Sequence, residues 1–230
     1  MRFFRGLVFV LTISSGLCMY AQEKSVKPGI NDSFKDPNPK EYVDRFEVES
    51  REVFAKREAI LAACEIKPGQ VIADIGAGTG LFTLPFAEKT GKDGQVIAVD
   101  IAKNFLDHIK KRSTDAGLKN VETLQCPPDS TGLKPASIDA AFICDVYHHF
   151  EFPQKTMTSL FAAMKPGGRL MLIDFKRVEG KSTDFVMKHV RAGQEVFEAE
   201  IARTGFRKVK EVSGILAENY FLIFEKPAAN

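Results

Sequence analysis

Three shortages narrow the reading of this chain before any motif is considered. Positive charge is not in surplus: 230 residues carry 32 Lys and Arg against 30 Asp and Glu, a net charge of +2. Phosphate backbones are held mainly by accumulated positive charge, so this balance argues against a nucleic-acid partner. The densest basic run, HIKKR at 108–112, lies where Phe105, Leu106, Ile109 and Ala116 recur at helical spacing, and it reads as a solvated helix face. Cysteine is scarce as well. Cys18 sits in the amino-terminal apolar stretch, and Cys64, Cys126 and Cys144 have no paired or ligand-like spacing. Neither a disulfide framework nor a zinc or other metal site is indicated, and buried thiols are the plain reading. Membrane-spanning length is also missing, because the apolar run at 6–17 is shorter than the roughly 20 residues a bilayer requires.

That run has informative neighbours. Arg2 and Arg5 precede it and Ala21 follows it, a pattern that resembles a secretory signal peptide cut before Gln22. Residues 1–21 are therefore expected to be a signal peptide. The mature protein would be exported, periplasmic or secreted, with no stable membrane insertion after cleavage. A start at Met19 would delete the signal and leave the protein cytoplasmic. Residues 22–40 carry Pro28, Gly29, Pro37 and Pro39 among polar side chains and read as a flexible leader, which leaves 41–230 as one domain.

Within that domain, regular periodicities begin near residue 50. Val53, Phe54, Arg57, Ile60, Leu61 and Cys64 recur at three- and four-residue intervals, predicting one amphipathic helix that Pro68 and Gly69 end. Strands follow at 71–75, 95–99, 121–125, 138–144 and 169–175, alternating with helices at 81–90, 104–116 and 153–164. A bend or a 3₁₀ turn is expected at Pro85, since proline removes a backbone donor. Strand–helix alternation predicts a parallel sheet covered on both faces. The end of the chain departs from it: after a helix at 188–204 come strand-like runs at 206–212 and 220–225, too close for a parallel return, so an antiparallel hairpin is expected.

The chemistry gathers at VIADIGAGTG, 71–80. A buried strand runs into Gly76, Gly78 and Gly80, a turn that opens a helix and bares its backbone to a ligand. Asp74 stands just before the turn, where its carboxylate could meet a positive group. Asp100 ends the second strand, which suits a carboxylate accepting from both hydroxyls of a ribose. Each acid also has a plainer reading as a helix cap or a solvated strand end, and the functional role is preferred for both.

The combination of DIGAGTG from Asp74, VIAVD ending at Asp100, IDAAFICD ending at Asp145 and MKPGGRLMLIDF from Met164 resembles the class I S-adenosylmethionine-dependent methyltransferases. VYHHF at 146–150 is similar to the small-molecule, quinone-biosynthesis type within them. The resemblance implies an α/β, Rossmann-like, seven-stranded, mostly parallel sheet with helices on both faces and a carboxyl-terminal antiparallel hairpin. It also implies S-adenosyl-L-methionine as cofactor and a small-molecule methyl acceptor. Gly76, Ala77, Gly78 and Gly80 would pack against the methionine part and ribose, Asp100 would hold the ribose, and Ile101 would lie on the adenine. Cys126 and Pro127 would line the other adenine face. Many relatives carry an acid near Cys126, so this chain departs from the pattern there, with Asp129 as a substitute. Asp145 would sit near the methyl-bearing end. Attack on a sulfonium methyl group requires alignment and exclusion of water and no metal. His148 or His149 could act as base where the acceptor must lose a proton, or could simply hydrogen-bond a loop backbone. Arg45, Phe46 and Arg51 could line the pocket.

Two other functions compete. An NAD-dependent oxidoreductase would want its third glycine at 81, where Leu81 stands. A noncatalytic exported protein could have kept the cofactor fold alone. Base methylation of nucleic acid is disfavoured, because Asp145 is followed by Val146, Tyr147 and His148 and not by two prolines and an aromatic.

Overall fold

The computed structural model describes residues 24–228, so the expected signal peptide and its cleavage site lie outside the described residues. Seven strands form one sheet in the order β3-β2-β1-β4-β5-β7-β6. The strands are β1 (Val71–Ile75), β2 (Gln95–Asp100), β3 (Val121–Gln125), β4 (Ile138–Cys144), β5 (Met164–Phe175), β6 (Arg207–Glu211) and β7 (Asn219–Glu225). The first five pair in parallel, and β7 runs antiparallel to both β5 and β6. The seven-stranded, Rossmann-like α/β sheet with its closing hairpin is therefore present as expected.

Near-continuous apolar strands follow from burial on both faces. Ala73, Ile75, Ala141, Ile143, Leu170 and Leu172 face one core, and Ile72, Ala140, Phe142, Met171 and Ile173 face the other. Helices α6 (Pro153–Ala163) and α8 (Gln194–Arg203) supply Met157, Leu160, Phe197 and Ile201 to the first. Helices α3 (Arg57–Ala63) and α4 (Thr83–Thr90) supply Ile60, Leu61, Phe86 and Ala87 to the second. Between β2 and β3, α5 (Lys103–Asp115) buries Leu106 and Ile109 over Ala98.

Four expectations are corrected. The helix expected from residue 50 to 64 divides into α2 (Glu52–Ala55) and α3. The helix at 188–204 divides into α7 (Asp184–His189) and α8, with Val190 leaving α7 in an extended conformation. Pro85 is the third residue of α4, within the first turn, whose amides have no helical partner; no bend is needed there. Strand β5 begins at Met164, earlier than residue 169, because Met164 pairs with Ile138 and the register then slips until Arg169 meets Ala140. Pro166, Gly167 and Gly168 fill the slip.

The leader also differs from a flexible tail along its described part. It contains a 3₁₀ turn (Asp32–Phe34), then α1 (Pro39–Phe46), started by Asn38, whose side chain accepts from the Lys40 amide. Tyr42 stacks edge-on against Phe105 at 5.2 Å and donates to the Ser33 carbonyl at 3.1 Å. Arg112 reaches from α5 to Glu47 at 2.6 Å. These contacts fasten the segment over the carboxyl ends of the strands.

Candidate active site

Elements β1 and β2 end side by side, and backbone bonds fix the loops that leave them. The Gly76 amide donates to the Val99 carbonyl at 2.7 Å, and the Gly78 amide to Asp100 Oδ2 at 2.9 Å. The other oxygen of Asp100 accepts from the Ala102 amide at 2.8 Å, so one carboxylate ties the glycine turn to the start of α5. Gly76 has φ +69°, and a Cβ there would stand 2.4 Å from Val146 Cγ1. At Gly78, with φ +53°, an added Cβ would meet nothing closer than 3.9 Å. Bare, unobstructed backbone thus faces the space above the sheet.

Both acids of this turn are buried. Burial pushes Asp100 up to about 6, against the pull of its backbone donors. Burial also pushes Asp74 up to about 7, partly offset by Thr83 Oγ1, which donates to Asp74 Oδ2 at 2.6 Å. Beyond β3, the Cys126 amide donates to the Asp100 carbonyl at 3.0 Å, and Gln125 Nε2 donates to the Ile101 carbonyl at 3.0 Å. These bonds set Ile101 opposite Cys126 and Pro127. Burial raises the Cys126 thiol to about 12, which leaves it a packing group and not a nucleophile.

The carboxyl end of β4 is built differently. Asp145 has φ +53°, a conformation that costs a non-glycine residue energy and that surroundings must enforce. Arg51 donates to its Oδ2 at 2.6 Å and Asn219 Nδ2 to its Oδ1 at 2.6 Å. Asn219 can arrive because β7 runs against its neighbours, which brings its first residue to the edge where β5 ends. Glu52 holds that approach: its carboxylate accepts from the amides of Ala217, Glu218 and Asn219. Arg51 lies over the Phe46 ring at 4.9 Å.

A 3₁₀ turn (Tyr147–His149) follows Asp145. His148, almost fully buried, has its Nδ1 2.8 Å from Asp174 Oδ1, while its amide donates to Asp174 Oδ2 at 3.1 Å. Asp174 accepts here, so the Nδ1 proton belongs to His148. His149 meets Asn31 Oδ1 through Nδ1 at 3.2 Å and His189 Nε2 through its own Nε2 at 3.2 Å. Burial, then the charges of His148, His189 and Lys27, lower His149 to about 2.

A cavity of about 520 Å³ joins these parts, a volume suited to a nucleoside-sized ligand with an acceptor beside it. Asp74, Gly76, Ala77, Gly78, Asp100, Ile101, Cys126, Pro127, Asp145, His148 and His149 all line it, as do Arg45, Phe46 and Arg51. Gly80 does not. Its added Cβ would strike Ile109 Cγ1 at 2.9 Å, so that glycine serves helix-to-strand packing. Asp129 is also outside the lining and pairs with Lys155 at 3.4 Å, so it does not replace the missing acid; Ser130 and Thr131 face the cavity in its place. Tyr147 is core, donating to Glu200 at 3.1 Å. Sequence reading missed His189, Phe185, Asn219 and Thr156, whose buried hydroxyl has no partner among the described residues and lies in the cavity wall. It also gave no role to Asp174, although an acid inside the apolar run LMLIDF was a visible signal.

A parallel sheet in this order, closed by an antiparallel strand and carrying a glycine turn and a strand-end acid, defines the class I S-adenosylmethionine methyltransferase fold. Residues 66–219 match the family described as "Methyltransferase domain", and the chain belongs to it. The family's cofactor is S-adenosylmethionine, and the bare Gly78 backbone and the Asp100 carboxylate fit such a group. The chain is 31% identical over 112 residues to the ubiquinone/menaquinone biosynthesis C-methyltransferase UbiE of Vibrio cholerae, covering 48% of this chain and 43% of that protein. It is 30% identical over 131 residues to UbiE of Hydrogenovibrio crunogenus, covering 54% and 48%. The chain thus spans about half the length of the curated relatives it matches. A solved S-adenosylmethionine-dependent methyltransferase from Aquifex aeolicus superposes with a TM-score of 0.72 at 21% identity, over 83% of this chain and all of that one. With the family, the oxidoreductase alternative falls.

Proposed function

We propose that this protein transfers a methyl group from S-adenosylmethionine to an apolar, ring-bearing small molecule of the quinol class. The observation that carries the proposal is the aromatic lining beyond Asp145. Phe34 stands edge-on to His149 at 5.1 Å, Phe175 lies 5.8 Å from His148, and Phe185 stacks on His189 at 4.9 Å while remaining 60% exposed. Phe150 completes that wall. Such faces favour a flat, apolar acceptor, and the likeness to ubiquinone/menaquinone C-methyltransferases supports the same class.

In this reading the bound cofactor supplies an electrophilic methyl on sulfur. Asp74, Gly76, Ala77, Gly78, Asp100, Ile101, Cys126 and Pro127 hold it, and the Asp145–Arg51 pair borders its reacting end. His148 Nε2 would take the proton from a ring hydroxyl of the acceptor, while Asp174 orients the His148 ring. The ring carbon so activated would gain the methyl as its bond to sulfur breaks, with S-adenosylhomocysteine as leaving group. The ring C–H proton would then leave to water as His148 returns the hydroxyl proton. His149, lowered to about 2, is too weak a base for that step. The chain is further proposed to be exported, on the pattern of Arg2, Arg5 and the apolar run at 6–17; amino-terminal sequencing of the native protein checks this.

The test supplies methyl-labelled S-adenosylmethionine and a reduced naphthoquinone lacking a ring methyl. Label on a ring carbon, lost by more than about 10²-fold in His148→Gln with unchanged cofactor binding, is the expected result. Cofactor binding without transfer to any reduced benzoquinone or naphthoquinone sinks the acceptor class.

A further inference from the structure

Three of the four histidines of this chain converge, although they come from two separate elements. One ring nitrogen each of His148, His149 and His189 lies within 4.8 Å of the others. His149 Nε2 and His189 Nε2 stand 3.2 Å apart. Two nitrogens bound at about 2.0–2.1 Å to one tetrahedral ion stand about 3.3 Å apart, so this pair already has ligand spacing.

On His148 and His149 the opposite ring nitrogen is engaged in the way metal-binding histidines require. Asp174 accepts from His148 Nδ1, as argued above. Asn31 donates through Nδ2 to the His149 carbonyl at 3.0 Å and to Glu151 at 3.4 Å, which turns its Oδ1 toward His149 Nδ1 at 3.2 Å and makes that nitrogen the donor. His148 and His149 are thus each oriented from behind, by an acid and an amide oxygen, and the proton shared between His149 Nε2 and His189 Nε2 is the one an ion would displace. Phe34, Phe175 and Phe185 surround the cluster with apolar surface.

We propose that His148, His149 and His189 form a binding site for a divalent first-row transition metal of the zinc class, with its fourth position open to the cavity. Three neutral imidazoles with one open position is the ligand set of a catalytic and not a structural zinc site. The acceptor class that fits the open position is an oxygen donor such as a ring hydroxyl. Metal and proton compete for the same nitrogen of His148. In the loaded protein the ion's charge would acidify the bound hydroxyl, whose proton would leave to cavity water, and in the metal-free protein His148 would receive it. The site itself rests on histidine geometry alone; only its use on an acceptor rests on the proposed function.

The experiment uses the untagged full chain, stripped with a chelator and titrated with Co²⁺, read by visible absorption and by calorimetry. One ion per chain with the intense ligand-field bands of a tetrahedral site is expected. His189→Ala should weaken binding by more than about 10²-fold and Asn31→Ala by roughly 10-fold, while His108→Ala, outside the cluster, leaves it unchanged. S-adenosylhomocysteine binding, measured on every variant, reports that each is folded, and its loss in the parent chain would instead refute the methyltransferase reading. Absence of stoichiometric Co²⁺ binding overturns the metal site, as does binding that survives His189→Ala and His149→Ala in variants that still bind S-adenosylhomocysteine.

Discussion

The two ends of the cavity obey different rules of construction. At the cofactor end, the residues that matter sit where consecutive strands stop, and they are joined by backbone amides: Gly76 to the Val99 carbonyl, Gly78 and Ala102 to the Asp100 carboxylate. At the end proposed for the acceptor, Asp145, Arg51, Asn219, Asn31, Asp174 and His189 come from six stretches of chain and are joined by side chains. A site of the first kind tolerates change in the loops around it. A site of the second kind can be redesigned one partner at a time, which suits the part of a transferase that chooses its acceptor.

The substitution that strikes both ends is Gly76→Ala, because its Cβ would press into Val146 while the backbone stays left-handed. We expect a loss of about 2–4 kcal/mol, seen as a fall in thermal midpoint of roughly 5–12 °C. Val146→Ala in the same chain should restore part of it; no coupling between the two would show that the ends are independent after all. Asp100→Asn confines its damage to the cofactor end. S-adenosylhomocysteine affinity should fall by roughly 10–100-fold, the range for losing charge-assisted hydrogen bonds, while the His148–Asp174 pair is untouched.

The same carboxylate gives a pH test. Burial raises Asp100 to about 6 from an ordinary 3.8, so the folded apo chain keeps its proton after the unfolded chain has lost it. Stability supplied by that proton is lost as pH rises between those values. Affinity for the ribose moves the other way, since only the ionised form accepts from two hydroxyls. Wild type should therefore bind S-adenosylhomocysteine more tightly as pH rises from about 5 to about 7, and Asp100→Asn should flatten that trend. The smallest effect belongs to the mouth. Phe185→Ala, at an exposed ring, should raise the acceptor KM a few-fold, by about 1 kcal/mol, and leave cofactor affinity unchanged.

The contrast also explains what could be read from residues alone. Strand ends and glycines are local, so Asp74, Gly76, Gly78 and Asp100 announced themselves through apolar runs and turn chemistry. Gly80 lies against Ile109, a packing demand that no ligand motif distinguishes. Asp129 misled because a nearby Lys155 offered a better partner than the cavity did. His189 and Asn219 had no local signal. Their roles depend on α7 folding beside the 147–149 turn and on β7 being inserted antiparallel, both of which are properties of the tertiary fold.

Asn219 has one more consequence, in the order in which the protein is made. The partner that completes the Asp145 clamp emerges 74 residues after Asp145 itself. A chain leaving the ribosome thus possesses the glycine turn and the Asp100 tie long before the far wall can close. The chamber is unfinished until β7 has been made, and any shortened product lacking β7 loses its sheet edge and the Asp145 clamp together.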